Sequence, residues 1–529
     1  MEAVRKPRLR VGVFTDKAHQ SRWIAEALAK AGAGCCAEMA LVALRPAPSP
    51  SQVPLLWRAY RRADRALFGS RADWSGHRDL RLLVGSDRRV ELGADERAWR
   101  CRVADARLDV AFVVGDVDDA TLEGVARFGT WRFCFGDSHH TCDALAGMRE
   151  TVDGENVVAS GIRIHLGAGR PDRIAHRSWA RAFPFSVTRG RDAVFAKSAE
   201  ILARALRDLQ EGGATWIEFG TEAAAPLPAP AFPRVDGLVR DISTLGARVA
   251  ARATERALTL DQWSIAYRFG GDGKFDGALD GFFRLEPPKG WYWADPFPIQ
   301  VEGRNYIFFE ELPLGAKKAH ISVVEVRRDG TASQPVKVLE RDYHLSYPFL
   351  VEEGGQLYMI PETGENNTVE IYRCEKFPCE WKFERVLVDG LFCVDATVHK
   401  EGDRWWMFAN AAASGEEIND ELHLFSAQKL LGEWKPHRKN PVKSDVRSSR
   451  PAGRLFWDGN RLFRPGQICT PLYGSGIALH RVTRLNHDEY SEVEESRIVP
   501  RDARTLGIHT LNRAGDLTVT DAFERRPRF

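Results

Sequence analysis

Two textures of apolar and polar positions divide the chain near residue 258. Upstream, apolar runs alternate with stretches of helical spacing. Residues 9–14 form a short apolar run, 21–31 place Ile24, Leu28 and several alanines one helical turn apart, and 40–44 return to a run. Residues 82–84 predict another short strand. Residues 108–114 (Leu-Asp-Val-Ala-Phe-Val-Val) predict a strand buried on both faces of a parallel sheet. The pattern then predicts a helix over 119–127, a strand over 129–135 and an amphipathic helix over 192–209. Strand–helix alternation of this kind implies an α/β domain, a parallel sheet with crossover helices. Four prolines in 223–233 predict a stiff, extended linker, and 236–257 an amphipathic helix rich in Arg and Ala.

Downstream, short alternating strands are separated by Gly and Asp turns. Four times, a strand bearing a polar residue is followed about fifteen positions later by a second polar residue on the next strand. The pairs are Asp295 with Glu310, Tyr347 with Glu362, Asp395 with Asn410, and Arg450 with Arg464. Asp295, Tyr347, Asp395 and Arg450 follow one another at 52, 48 and 55 residues. A repeat near 40–50 residues, readable as four strands per copy, predicts β-propeller blades rather than a sandwich. The second copy reads as strands at 347–352, 357–361, 369–374 and 383–388, and the third has a poor fourth strand. Residues 507–510 resemble a further inner strand, and 263–269 supply an outer strand for that same blade, which gives five blades closed from both ends. The expected organisation is an α/β domain over 1–215, linker and helix over 216–257, and a propeller over 258–529.

Composition narrows the function classes. With 75 Lys+Arg against 73 Asp+Glu, the chain lacks the basic excess of a general nucleic-acid binder. No stretch approaches the roughly 18 uninterrupted apolar residues of a membrane span, and the first residues carry no secretory-type apolar run. Nine irregularly spaced cysteines fit reduced thiols and a cytoplasmic setting. No cofactor is identified. There is no Walker-type loop, and Gly167-Ala-Gly169 lacks the third glycine of a dinucleotide fingerprint. Cys134, Asp137, His139, His140 and Cys142 crowd together, but not at the spacing of a zinc finger. Residues 272–277 imitate a calcium loop, with Lys274 at a ligand position and Phe283 where the bidentate Glu belongs. No metal site is expected, and the oligomeric state is left open.

Several stretches carry a family resemblance. Trp-Ala-Asp-Pro-Phe at 293–297, Phe-Phe-Glu-Glu at 308–311, Pro-Glu-Thr at 361–363, Val-Asp-Ala-Thr at 394–397, Arg-Pro-Ala-Gly at 450–453, Arg-Pro-Gly-Gln at 464–467 and Tyr473-Gly474 lie in the C-terminal half. That half resembles the five-bladed propeller attached to plant glucosamine inositolphosphorylceramide transferases, itself similar to glycoside hydrolase family 43. Leu-Asp-Val-Ala-Phe at 108–112 and the run Gly-Thr-Trp-Arg-Phe-Cys-Phe-Gly-Asp at 129–137 resemble a degenerate formyltransferase domain with a Rossmann-like sheet.

Departures from both families shape the expected chemistry. Formyltransferases carry an Asn-x-His signature; here Cys134 takes the His place and no Asn precedes it. Formyl transfer to an amino sugar then requires Cys134 or the nearby histidines to replace the missing pair. The family 43 resemblance implies inner-strand carboxylates acting as base, pKa-setter and acid. Asp295 and Asp395 match the first two, but the fourth copy holds Arg450, which cannot donate a proton near neutral pH. The expected catalytic set is Asp295 as base, Glu310 or Glu362 as acid, and Asp395 as orienting carboxylate. Arg450 and Arg464 suit bidentate capture of an anion. Trp291, Tyr292 and Trp293, just before Asp295, offer stacking faces, with Trp293 taken into the binding set, which Tyr347, Asn410, Gln467 and His509 complete. The expected ligand is a sugar or glycoconjugate bearing an anionic group, bound and cleaved or transferred by the propeller. The alternative is recognition without catalysis.

Overall fold

The computed structural model describes residues 6–45, 53–70, 73–74, 76–136, 143–224, 233–270, 275–412 and 418–528. Asp137, His139, His140 and Cys142 of the crowded Cys/His stretch lie outside these residues. So do 272–274 of the calcium-like loop and most of the proline-rich stretch. Two compact units, residues 1–250 and 251–529, divide the chain.

The first unit is built on one eight-stranded mixed sheet. Its parallel part runs Thr130–Phe135, Val110–Val114, Leu9–Thr15, Ala37–Leu44, Arg89–Glu91. Val157–His165, Arg173–Arg181 and Glu222–Ala223 extend the other edge in antiparallel fashion. Val110–Val114 is buried at every position, as a strand covered on both faces must be. The long helix Val187–Phe219 covers one face, bends at Gly213 (φ 60°, ψ −145°), and stacks Phe195 on Trp23 at 4.7 Å. Two short predictions differ. Leu80–Leu83 is a single 3-10 turn in place of a strand, and 119–127 holds only the 3-10 turn Ala120–Leu122. Each turn buries a single leucine, Leu80 or Leu122, and Leu82 is exposed, so neither segment presents a continuous face to the core.

Helix Val235–Leu258 is as the spacing predicts, but it does not belong to a free linker. Its Leu238 and Leu245 are buried with Trp57, Leu145 and Met148 of the first unit, and the unit boundary falls inside it.

The second unit is a five-bladed β-propeller. Three blades are plain four-stranded meanders: Trp291–Val301 to Val336–Leu339, Ser346–Glu353 to Glu380–Asp389, and Phe456–Asp458 to Tyr490–Ile498. The third blade in chain order, from Cys393–Glu401, has its poor fourth strand split into Lys435–Pro436 and Lys443–Ser444. The fifth takes strands from both ends of the unit. Thr259–Phe269 pairs with Leu517–Pro527 from Thr259↔Pro527 to Phe269↔Leu517 without interruption. The inner strand of that blade is broken into Thr505–Gly507 and Leu511–Ala514, which leaves His509 and Thr510 in the break. Apolar side chains from adjacent blades interlock as separate clusters, with Phe297, Phe349, Met359 and Met407 between the first three blades.

Candidate functional site

The inner strands of the first three blades share one irregularity. Ala294 pairs with Glu310 and Phe297 with Phe308, so Asp295 and Pro296 together face a single residue. The same two-against-one bulge falls at Tyr347-Pro348 and at Asp395-Ala396. In each, the first bulge residue is left-handed: φ is 52° at Asp295, 45° at Tyr347 and 54° at Asp395. For non-glycine residues this conformation costs about 1–3 kcal/mol and persists only where surrounding bonds over-determine it. A bulge re-aims a side chain, and here it turns three blades' residues toward the axis.

At one end of the axial site Asp295 is paired with His509. The carboxylate Oδ1 accepts from Thr510 Oγ1 at 2.7 Å and lies 3.1 Å from His509 Nε2. His509 Nδ1 lies 2.8 Å from Asp521 Oδ2, while the backbone N–H groups of His509 and Thr510 donate to Asp521 Oδ1. Burial opposes the imidazolium, but Asp521 and Asp295 outweigh it and lift the His509 pKa to about 10. Burial likewise pushes Asp295 up, and the imidazolium with its hydrogen bonds reverses that, so Asp295 is held below the usual carboxylate range. Glu310, beside this group, accepts from Tyr292 Oη at 3.3 Å and lies 3.3 Å from His344 Nε2. Burial raises Glu310. Its charge and hydrogen bond overcome the burial of His344 and raise that imidazole to about 9.

At the other end Asp395, fully buried, takes Arg450 in a fork. Nε donates to Oδ2 at 2.5 Å and Nη2 to Oδ1 at 3.2 Å. Gln467 Nε2 adds a third donor at 2.8 Å. Burial raises Asp395 and Arg450 restrains the rise. Glu362 has a carboxyl that shares a hydrogen bond with Asp395, and its Oε2 finds only Arg450 Nη2, at 3.5 Å. Two carboxyl groups in contact cannot both be anions. Asp395 holds three good donor contacts, so Glu362 carries the proton, and burial followed by the Asp395 charge moves its pKa to about 8. The axial site thus sets an ionised carboxylate, Asp295, against a protonated carboxyl, Glu362.

Other expected binding residues are placed differently. Trp293 is buried between blades among Ile265, Phe309 and Val324, and its indole Nε1 donates to Glu311 Oε1 at 3.0 Å, so it offers no stacking face. Tyr347 is fully buried, with its hydroxyl 2.8 Å from Thr397 Oγ1 and accepting from the Gly453 N–H at 2.7 Å; it ties blades together. Arg464 does not reach the axis. It forks onto Glu492 of the outer strand at 2.7 Å for both bonds and donates to Ser448 O at 2.8 Å. Residues 464 and 467 are an odd number of positions apart and face opposite sides of one strand. The inward residue of the fourth blade is therefore Gln467. Arg450 is at the axis, but Asp395 holds its fork and Asn419 Oδ1 accepts from Nη1 at 2.9 Å, so it does not present an open anion fork. Asn410 is buried, with Nδ2 donating to Ile418 O at 2.9 Å. In the first unit Cys134 is buried in the sheet and its thiol is pushed up to about 12 by desolvation, which makes it no substitute for a catalytic His.

Of the three aromatic residues expected to stack, Tyr292 is at the axial site, bonded to Glu310. The sequence reading missed Asp521, Thr510, His344 and Tyr473 as site residues. Asp521 had a legible signal. It lies 12 residues after His509, the fifth copy of the polar pair found four times upstream. Tyr473, half-buried, lies with its ring 5.0 Å from the Arg450 guanidinium and 5.2 Å from the His509 ring. Tyr292, Tyr473, His344 and Glu362 are the partly exposed members and give the site its access to solvent. Ligand atoms of Asp295, His509 and Asp521 all lie within 4.8 Å of one another, a spacing that fits a cation.

Fold and site together define a five-bladed propeller with a carboxyl-rich axial site. Residues 288–520 match the family described as glucosamine inositolphosphorylceramide transferase 1, N-terminal. The chain is 35% identical over 205 residues to glucosamine inositolphosphorylceramide transferase 1 of Oryza sativa subsp. japonica, covering 38% of this chain and 27% of that one. It is 34% identical over 207 residues to the Arabidopsis thaliana protein of the same name, with the same coverages. The chain thus spans about a quarter of the length of these curated relatives. Among solved structures, a family 117 glycoside hydrolase of Zobellia galactanivorans is similar at 13% identity and TM-score 0.33, covering 50% of this chain and 90% of that one. The catalytic domain of a Coprinopsis cinerea GH62 α-L-arabinofuranosidase is similar at 12% identity and TM-score 0.33, covering 49% and 97%. No helix among the described residues is long and apolar enough to cross a membrane.

Proposed function

We propose that the propeller binds a saccharide at its axis and cleaves or transfers a glycosidic bond there. One observation carries this reading: Asp295 is held ionised by His509 and Thr510 while Glu362 is held protonated against Asp395. Two carboxyl groups driven apart in pKa are the general base and general acid of glycoside chemistry. Asp295 activates water or an acceptor hydroxyl, and Glu362 protonates the leaving oxygen. Asp395, fixed by Arg450 and Gln467, keeps the proton on Glu362. Tyr292 and Tyr473 offer the partly exposed aromatic faces on which a sugar ring stacks. Arg450 and Arg464 are already paired, so the ligand is proposed to be recognised through hydroxyl groups, with no anionic group required. The similarity to the transferases named above supports a glycosylated inositol phospholipid headgroup as the first substrate to try.

Recognition without turnover is the second reading, and Arg450 favours it. The fourth blade supplies a guanidinium where a hydrolase supplies its acid. The test is to incubate the full chain with aryl glycosides and glycosylated inositol phospholipids and follow sugar release by chromatography. Release that falls at least about 100-fold in Asp295→Asn and Glu362→Gln, with binding retained, supports acid–base catalysis. Sugar binding without release in any form leaves recognition alone. If no saccharide binds by calorimetry, both readings fail.

A further inference from the structure

The first unit contains a cleft of about 270 Å³ between strand Arg173–Arg181 and the end of helix Val187–Phe219. Among the described residues, seven non-glycine positions have positive φ, and four of these lie inside strands. Three are Asp295, Tyr347 and Asp395, all turned toward the propeller axis. The fourth is His176 (φ 49°), and its side chain lines this cleft. The device is the same. Ser160 pairs with Ser178 and Ile162 with Ala175, so His176 and Arg177 together face Gly161. A tie between strand and helix needs no left-handed residue; a re-aimed side chain does.

The lining is chemically specific. His176 Nε2 lies 3.0 Å from Asp208 Oδ2 on the helix, and its ring stands 6.1 Å from Trp216. The Arg177 guanidinium lies over Trp179 at 5.0 Å and 3.6 Å from Glu222. Arg173 fixes the far wall by donating to Thr221 Oγ1 at 2.9 Å and Glu218 O at 2.7 Å, just beyond the bend at Gly213. Two indoles supply apolar faces, and imidazole, guanidinium and two carboxylates supply planar donors and acceptors around them. Arg177 is paired with Glu222, and Asp208 adds a second carboxylate to the lining, which disfavours a phosphate. The volume falls just below the usual range for drug-sized ligands and suits one small ring.

We infer that this cleft binds a single pyranose unit of a neutral saccharide, with His176 and Asp208 bonded to its hydroxyl groups. Its occupancy is independent of the propeller chemistry. The test uses the full chain labelled with 5-fluorotryptophan, with the Trp179 and Trp216 fluorine resonances assigned from Trp179→Phe and Trp216→Phe. Methyl β-D-glucopyranoside, methyl β-D-galactopyranoside, methyl α-D-mannopyranoside and methyl N-acetyl-β-D-glucosaminide are titrated in turn. At least one should shift both resonances with a Kd on the order of 1 mM. That Kd should weaken at least about tenfold in Asp208→Asn and stay unchanged in Asp295→Asn. If Asp208→Asn fails a melting check, the exposed Glu222→Gln takes its place, with the same weakening expected. Resonances that do not move with any of the four sugars overturn the assignment, as does a titration the cleft variants leave unchanged.

Discussion

Asp295 and Asp395 occupy the same place in the first and third blades. Each is the left-handed residue of a bulge, each is buried, and each touches a cation. Their proton affinities nevertheless move in opposite directions: Asp295 is lowered and Asp395 is raised. The backbone repeat does not set this difference; the partners do. Asp295 has an imidazolium that a second carboxylate, Asp521, keeps charged. Asp395 shares its guanidinium with another carboxyl, Glu362. A repeated fold places equivalent groups, and the residues that arrive from neighbouring blades decide what each one does.

The largest effect that would break this comparison is on turnover. Asp295→Asn should lower it by about 10²–10⁴-fold, with stability reduced little because Asp521 still neutralises His509. Steady-state kinetics beside urea unfolding separate the two. Asp395→Asn should lower turnover as well, because Glu362 loses the charge that keeps its proton, but it differs from Asp295→Asn in adding a large stability loss. It leaves Arg450 buried beside a neutral partner and should cost about 3–5 kcal/mol of unfolding free energy. Equal stability losses in the two variants would erase the distinction.

The two ends should also separate by pH. His509 has a folded pKa near 10 against an ordinary 6.5. Its contribution is fully present below pH 6.5 and is lost as pH rises through 10. Glu362 has a folded value near 8 against 4.5. Between those values the folded chain keeps a proton that the unfolded chain releases, so stability falls as pH rises, by at most about 1.4 kcal/mol per pH unit. Urea unfolding at pH 5, 7 and 9 should show Glu362→Gln flattening the slope between 4.5 and 8, and His509→Gln flattening it between 6.5 and 10. The smallest effect is expected for Trp293→Phe. Losing the bond to Glu311 should cost about 1 kcal/mol and leave sugar binding unchanged, as titration calorimetry would show.

The propeller was legible because its period survives in sequence: strand alternation and the recurring polar pair locate all five blades. Asp295, Glu310, Glu362, Asp395, Arg450, Gln467 and His509 do meet at the axis. Arg464 was misplaced because a nearly constant spacing concealed a change of strand face, which only the ladder from Pro451↔Gly466 reveals. Trp293 and Tyr347 look like ligand contacts in a list of residues, and both are consumed by neighbours 18 and 50 positions away. In the first unit, the bulge at His176 leaves no mark in the pattern of residues, since an extra position in one strand is visible only against its partner.

The pairing of Thr259–Phe269 with Leu517–Pro527 has a consequence for how the molecule is made. The first of these strands leaves the ribosome about 250 residues before its partner is translated. Throughout that interval it is an unsatisfied edge beside a half-built ring. Stopping synthesis anywhere before Leu517 would therefore leave an open, sticky horseshoe, and His509 would wait for Asp521 to be translated.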